Sequence, residues 1–537
     1  FGRFLHFTDM HPDQYYSPGS SVNDACHKQS SFGSEQQSDL LANKKGKRHH
    51  KKEKRNGVGY WGAPVSVCDS PKHLIEATLD WLSQNWMVSN TSDMDAGKGL
   101  DFIIWTGDTA RHDIDATHPR NAKEIFAYNR WALSLVEERF PGIPIVPNFG
   151  NNDIIPHNIM FPGPNSMTRA YADIWQKHLS TESQQDTVRK GGFFAKDIID
   201  GDLAVLSLNT LYWYDNNAAV RGCKGKNDPG TLQLDWMEET LTNYRNRRMQ
   251  VHLIGHVPPT ANNYFENCLE RYTDMALRYQ DTIVGQHFGH MNIDAWYLQH
   301  STSSKKKVQT TAMDSLRPEL DDYLAFFVAP SVVPTYLPYV RIWTYNITRP
   351  KENQRFVQQA SQDTLQNLSM LEAQSSLKKK HRNLPRFTSP DSPSRRNTYL
   401  SPLGYSQWVL DLGKANRIYE EEKKNGKAQS KLHYQLEYTT YKASTLWGQY
   451  VQVDGTEPQQ VPVPKHLLDQ ELKRLNSNSP TMGNLVHAWF YRLLRLKKHD
   501  INVPKQIRHL TRYGLSTCTV DELIEWSRRM VSCKSLF

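Results

Sequence analysis

No apolar stretch in this 537-residue chain approaches the roughly 18 residues that a membrane-crossing helix needs. The nearest, Leu324 to Val333, is broken by Pro330 and is expected to be a buried strand. No leader opens the chain. Phe1 runs directly into an apolar strand, as expected of a chain trimmed or processed at its N-terminus. No internal repeat and no C-x-x-C pair occurs, so neither a repeat array nor the commonest thiol-redox and zinc-ribbon patterns apply. Hydrophobic content is low at 38% and mean hydropathy is −0.67, which suits a soluble protein with long polar insertions. The length allows one large α/β domain with appendages.

The six cysteines, Cys26, Cys68, Cys223, Cys268, Cys518 and Cys533, fall into neighbouring pairs along the chain. Sequence adjacency favours the pairings Cys26–Cys68, Cys223–Cys268 and Cys518–Cys533. Three glycosylation sequons accompany them, at Asn90, Asn346 and Asn367. Paired cysteines and sequons together favour a secretory-route protein with disulfides over a cytosolic protein with scattered free thiols. Net charge is +9, with a sequence pI near 9.0. Such a surface suits an acidic partner (polyphosphate, nucleic acid or an anionic membrane) without choosing among them.

Much of that charge sits in low-complexity segments. Residues 27–57 carry the run Lys44 to Arg55, whose like charges repel and bury no core, so a basic flexible insertion is expected there. Residues 349–398 form a second such stretch, a linker or loop, after which strands near Trp408–Leu412 and Tyr434–Tyr438 lead into amphipathic helices. Ser70-Pro71 looks like an N-cap followed by proline at the first helical position, with Leu74, Ile75, Thr78, Leu79, Leu82 and Trp86 on one face. Strands are expected at Phe4–Thr8, Leu100–Thr106, Ile143–Val146, Leu203–Leu208 and Val251–Ile254, and a helix over 231–248. Their alternation with helices indicates α/β layers. The domain reading is therefore 1–348 catalytic, 349–398 linker, and 399–537 strands with a small helical region packed on the first unit.

Five polar motifs follow strand ends: Asp9-Met-His11, Gly107-Asp108 through Arg111-His112-Asp113, Gly150-Asn151-Asn152-Asp153, Gly255-His256, and Gly289-His290-Met-Asn292. In α/β sheets that edge is where ligands bind. Alternation puts Asp9 and His11 on the same face, where they could grip one cation. Asp108 could bridge to a second cation held by Asn151, His256 and His290. Two cations about 3.5–4 Å apart stabilise both the attacking and leaving oxygens of a displacement at phosphorus. Any one of these motifs is commonplace. Five in this order, each at a strand end, are not.

The five blocks resemble the calcineurin-like metallophosphoesterases, and the G-D-x-x-x-H-D and G-H-x-P-P forms resemble the acid-sphingomyelinase-like branch. Within that branch Phe1 to Pro12, Gly150 to Asp153 and Gly289 to Asp294 resemble vacuolar endopolyphosphatases. The resemblance implies two facing mixed β-sheets flanked by helices, and two divalent metal ions (Mn, Mg, Co or Zn). Asp9, His11, Asp108 and Asn292 would hold the first, and Asp108, Asn151, His256 and His290 the second. His112 occupies the position of a histidine near the leaving group, and Arg111 is expected to bind phosphate oxygens. Asn152 and Asn292 stand where most of the superfamily has histidine. An amide cannot act as a general acid near neutral pH, so Asn152 is expected to orient phosphoryl oxygens. A phosphoanhydride, whose leaving group is already a stable anion, therefore suits the site better than a monoester or diester.

Hydrolysis of inorganic polyphosphate is the leading expectation. A sphingomyelinase-like phosphodiesterase acting on nucleotides or phospholipid head groups is the alternative, and a non-catalytic polyanion-binding scaffold the third reading. No stretch resembling a lipid-docking saposin-like domain is found. The resemblance also implies a vacuolar location, and it leaves room for a membrane anchor ahead of Phe1 and for a homo-oligomer. A specific nucleic acid is not expected as partner.

Overall fold

The computed structural model describes residues 1–28, 57–87, 99–300, 323–349, 398–426, 431–440 and Leu467. The run 44–55, Asn90, Asn367, the 349–398 stretch apart from its two ends, the Cys518–Cys533 pair and the expected C-terminal helices lie outside them. In chain order the described strands and helices begin with β1 (Gly2–Phe7), β2 (Pro12–Asp13), β3 (Ser70–Pro71), α1 (Lys72–Trp86) and β4 (Phe102–Trp105). Then come α2 (Ala122–Arg139), β5 (Ile145–Pro147), α3 (Ser166–Ile174), α4 (Glu182–Gly191), β6 (Phe194–Ile199) and β7 (Leu203–Ser207). The second half holds α5 (Pro229–Asn246), β8 (Gln250–Ile254), α6 (Glu266–Arg278), β9 (Ile283–Phe288), β10 (Ala295–His300) and β11 (Tyr323–Val328). It closes with β12 (Tyr339–Tyr345), β13 (Pro402–Val409), α7 (Leu412–Lys424) and β14 (Gln435–Thr439).

Two six-stranded sheets result, ordered β14-β13-β12-β1-β4-β5 and β10-β11-β9-β8-β7-β6. Both are mixed. In the first, β1, β4 and β5 run parallel while β12, β13 and β14 add antiparallel. In the second, β7, β8, β9 and β11 are parallel and β6 and β10 close the edges antiparallel. The expected pair of mixed sheets flanked by helices is the architecture found. The strands beyond the low-complexity stretch are built into it, because β13 pairs with β12 along its length. Trp81 and Trp86 of α1 pack on Trp408 of β13, which secures that addition by aromatic burial.

Local chemistry explains the element ends. Asp228 accepts from the Gly230 and Thr231 amides and Pro229 occupies the first turn, so α5 begins two residues before the expected 231. The α1 start differs from expectation. Ser70 is drawn into extended pairing with β2, donating its amide to His11 O, so Pro71 takes the cap position without a side-chain bond. Strand β1 is buried along its whole length and lies between β12 and β4, so neither of its faces meets solvent.

The two sheets meet across an aromatic and imidazole layer. Phe4 of β1 stacks on Phe102 at 4.7 Å and lies 5.1 and 5.5 Å from the rings of His252 and His287 in the other sheet. His252 Nδ1 and His287 Nε2 are 3.1 Å apart, and His6 bonds Thr106. Burial pushes all three imidazoles down, His252 to about 3, with Arg341 adding to the effect at His6 and His287. The unfolded chain takes up these protons near 6.5 and the folded chain does not. The stability these three groups contribute is therefore full above about pH 6.5 and falls as pH drops toward the folded values. We expect the melting temperature to decline steeply below pH 6.5, and less steeply in His252→Leu; identical slopes in calorimetry would remove this assignment.

Candidate dimetal site

The five motifs converge where β1, β4, β5, β8 and β9 end on one edge of the paired sheets. Asp9 (φ 51°), His11 (42°), Asp108 (56°), His290 (72°) and Asn292 (55°) all adopt left-handed backbone conformations. Each such residue costs about 1–3 kcal/mol and persists only where the surroundings impose it. The strain turns each chain sharply as it leaves its strand, aiming the side chains inward. Gly150 is required here, since a Cβ would sit 2.0 Å from Asp108 Oδ1.

The expected second group is tightly clustered. His256 Nε2 lies 3.1 Å from Asp108 Oδ2 and 2.9 Å from Asn151 Oδ1, and His290 Nδ1 lies 2.8 Å from Asn151 Oδ1. The expected first group is recognisable by what its atoms lack. Asp9 Oδ1, His11 Nε2 and Asn292 Oδ1 are buried with no hydrogen-bond partner, and Asp9, His11 and Asp108 can offer ligand atoms within 4.8 Å of one another. Buried lone pairs without donors call for a partner, and a cation can supply one to all three. The donor set, carboxylate, imidazole and amide oxygen, therefore fits two divalent metal ions.

Backbone carbonyls fix the ligand tautomers. His11 Nδ1 donates to Ala110 O at 2.7 Å and His256 Nδ1 to Thr106 O at 2.8 Å, which aims each Nε2 into the cluster as a potential ligand atom. Burial alone would push both imidazoles down. At His11 the charges of Asp9, Asp108 and Asp69 outweigh it and hold the group at about 9. At His256 Asp108 and Asp9 do the same, also to about 9. Protons are drawn to places that a metal ion would fill. His290 goes the other way, lowered to about 4 by burial and by His256, as suits a neutral ligand.

Two residues without a role in the sequence reading prove central. Asp69, buried at the end of the disulfide-linked segment, accepts from the His112 amide and from its Nδ1, both at 2.6 Å. The His112 ring stacks on His11 at 4.0 Å and is 29% exposed, so this side chain, unlike the buried His11, reaches the surface of the cleft. Asp153, the last residue of the G-N-N-D motif, accepts from the Thr109, Ala110 and Gly150 amides and clamps two ligand loops together. Its motif position signalled it. Asp69 carried no signal beyond lying between Cys68 and the start of a helix.

Two expectations require correction. Arg111 does not face the cleft. Its guanidinium is buried, bonded to Glu124 at 2.5 Å and to His118 O at 2.5 Å, and lies over Tyr15, because the first turn of α2 supplies the opposing charge. Asn152 directs its donors at Asp108, not at substrate: its amide and Nδ2 reach the two carboxylate oxygens at 2.8 Å each. Disulfides join Cys26 to Cys68 and Cys223 to Cys268. Asn346 lies part-exposed just after β12.

A calcineurin-like phosphoesterase family model matches residues 2–294. An endopolyphosphatase of Cryptococcus neoformans var. neoformans serotype D is 36% identical, over 99% of this chain and 89% of its own length. An endopolyphosphatase of Neurospora crassa is 34% identical over 78% of this chain and 67% of its own length. One of Saccharomyces cerevisiae is 36% identical over 59% of this chain, and the match spans 44% of that protein.

Asp108→Asn should fold normally, bind less metal than wild type and lose at least about 10³-fold in turnover, since it removes the one carboxylate placed between the two ligand groups. Near wild-type turnover would contradict the assignment. Asp69→Asn should retain the wild-type metal content while kcat falls by about 10²-fold, because it leaves His112 without its carboxylate partner. Loss of metal in that variant would assign Asp69 to the metal shell instead.

Proposed function

The chain belongs to the calcineurin-like phosphoesterases and, within them, to the endopolyphosphatases, and on that premise we propose that it hydrolyses internal phosphoanhydride bonds of inorganic polyphosphate, cutting long chains to shorter ones. The observation that carries the reading is the set of orphaned buried lone pairs on Asp9, His11 and Asn292 beside the Asp108–His256–Asn151–His290 cluster. Two divalent cations held there would activate a water molecule and neutralise charge on the phosphoryl oxygens.

The chain's own residues do the rest. Asp108, held by both donors of Asn152, keeps one carboxylate oriented between the two ligand groups. The Asp69 carboxylate fixes His112 with Nδ1 protonated, so the opposite nitrogen exchanges a proton with the departing phosphate. That exchange is undemanding, because a phosphate leaving group is already a stable anion. The same dyad favours a second reading, a phosphodiesterase in which His112 protonates an alkoxide. The two disulfides fit an oxidising secretory route, and we place the enzyme in the vacuole lumen or on its membrane. The net charge of +9 suits a polyanionic substrate.

Long-chain polyphosphate incubated with purified protein should shorten to intermediate lengths on gels, with little release of nitrophenol from a bis-nitrophenyl phosphodiester. Fast diester cleavage without polyphosphate shortening would select the second reading. The first metal position has one imidazole and otherwise oxygen donors, and such sites suit manganese or magnesium more than zinc. Manganese, cobalt or magnesium should therefore support activity of chelator-stripped protein at least as well as zinc. In Asn292→His the ranking should move toward zinc; an unchanged ranking would mean that Asn292 does not ligate.

A further inference from the structure

A second group of metal-ligating side chains lies outside the dimetal cleft, where the loop after β2 meets the loop after His112. His27 is buried, with Nδ1 2.6 Å from Asp115 Oδ2 and Nε2 2.6 Å from Asp13 Oδ2. His27, Asp115 and His118 each offer one ligand atom, all within 4.8 Å of one another. The surrounding contacts prepare these atoms. Asp115 Oδ1 is engaged by the Thr117 amide and hydroxyl at 2.8 and 2.7 Å, which turns Oδ2 toward His27. The His118 ring is held by stacking on Tyr15 at 4.0 Å and lies edge-on to His27 at 5.5 Å. The neighbouring Cys26–Cys68 disulfide fixes the backbone that presents His27.

We propose that His27, Asp115 and His118 form a third metal site, for a transition-metal dication of the zinc type, that staples the 13–27 loop to the 111–118 loop. Two imidazoles and one carboxylate are a donor set suited to zinc, and distinct from the oxygen-rich first position of the cleft. Asp13 completes it from behind. It accepts the Nε2 proton of His27 and so makes Nδ1 the ligand atom, the carboxylate–histidine–metal arrangement common to such sites.

Charge separates this reading from a simple imidazolium clamp. Two carboxylates around one imidazolium leave a net negative charge, which Arg111 offsets only in part because Glu124 pairs with it, whereas a dication with neutral His27 cancels both carboxylates. The clamp also gives His118 no part. A tetrahedral shell with bonds of about 2.0–2.1 Å sets its ligand atoms about 3.3 Å apart. Nδ1 and Oδ2 would then open by about 0.7 Å while His118 moves in.

The test is metal stoichiometry, independent of activity. Tag-free protein is stripped with a chelator, saturated with zinc, freed of excess by gel filtration and measured by mass spectrometry of the metal. Wild type should retain one equivalent per chain more than His118→Phe, which preserves the stack on Tyr15, and more than Asp115→Asn, which preserves the Thr117 bonds. Asp108→Asn should lose metal from the cleft yet keep this equivalent, so failure of the cleft assignment and of this one are distinguishable. Cobalt loading should give a visible ligand-field band that is weaker by one site in both variants. Equal stoichiometry in wild type, His118→Phe and Asp115→Asn overturns the proposal.

Discussion

Burying several carboxylates at one sheet edge creates the demand on which the rest of the structure depends. Asp9, Asp69, Asp108 and Asp153 are all nearly inaccessible to water and belong to one interconnected cluster. Isolated, each would be expensive to ionise in such a place. Their combined field lifts His11 and His256 to about 9, and the positive charge of His256 and His11, with hydrogen bonds from His256 and the Asn152 amide, holds Asp108 well below the usual carboxylate range despite its burial. Asp153 goes the other way. Burial and the neighbouring Asp108 raise it, and backbone amides offset part of that rise.

Everything around the cluster serves to hold those charges in place. Five of the seven residues assigned to the metal ions adopt left-handed backbone conformations that side chains other than glycine rarely take. Such strain survives only if the flanking elements cannot relax. Here they cannot, because β1 sits in the middle of its sheet and its ligand loop is bonded to the loop after β4: the Asp9 and Met10 amides donate to Gly107 O and Asp108 O. The carbonyls that orient His11 and His256 come from the end of β4 and the loop beyond it, so each histidine is set by a neighbouring segment and not by its own.

The residues behind the ligands set the chemistry as much as the ligands do. Asn152 secures the shared carboxylate, Asp153 joins two loops, and Asp69 orients the partly exposed histidine. Arg120 adds a further tie, donating to the carbonyls of Arg111 and Asn152. A cleft built this way reacts with a substrate through a few exposed groups while its charges stay fixed. Electrostatic stabilisation of phosphoryl transfer requires that arrangement.

The sequence by itself determined the layered α/β character, the strand ends that carry chemistry and the residues with metal-ligand chemistry. Strand periodicity, turn glycines and the order of polar motifs are local properties of the chain. It also indicated both described disulfides, since each joins a cysteine to the next one along the chain. Only the tertiary structure decided which nearby polar residue faces the cleft. Arg111 follows Asp108 by three positions yet turns away, because Glu124 on a separate helix offers a buried opposite charge. Asp69 lies 43 residues from His112 and is joined to it only when β3 pairs with β2 beside the cleft. Asn152 was expected at the substrate and instead braces Asp108, a choice set by the 2.8 Å approach of two loops from different strands. Side-chain direction at a strand end depends on what the opposing loop supplies, and that partner is distant in the sequence.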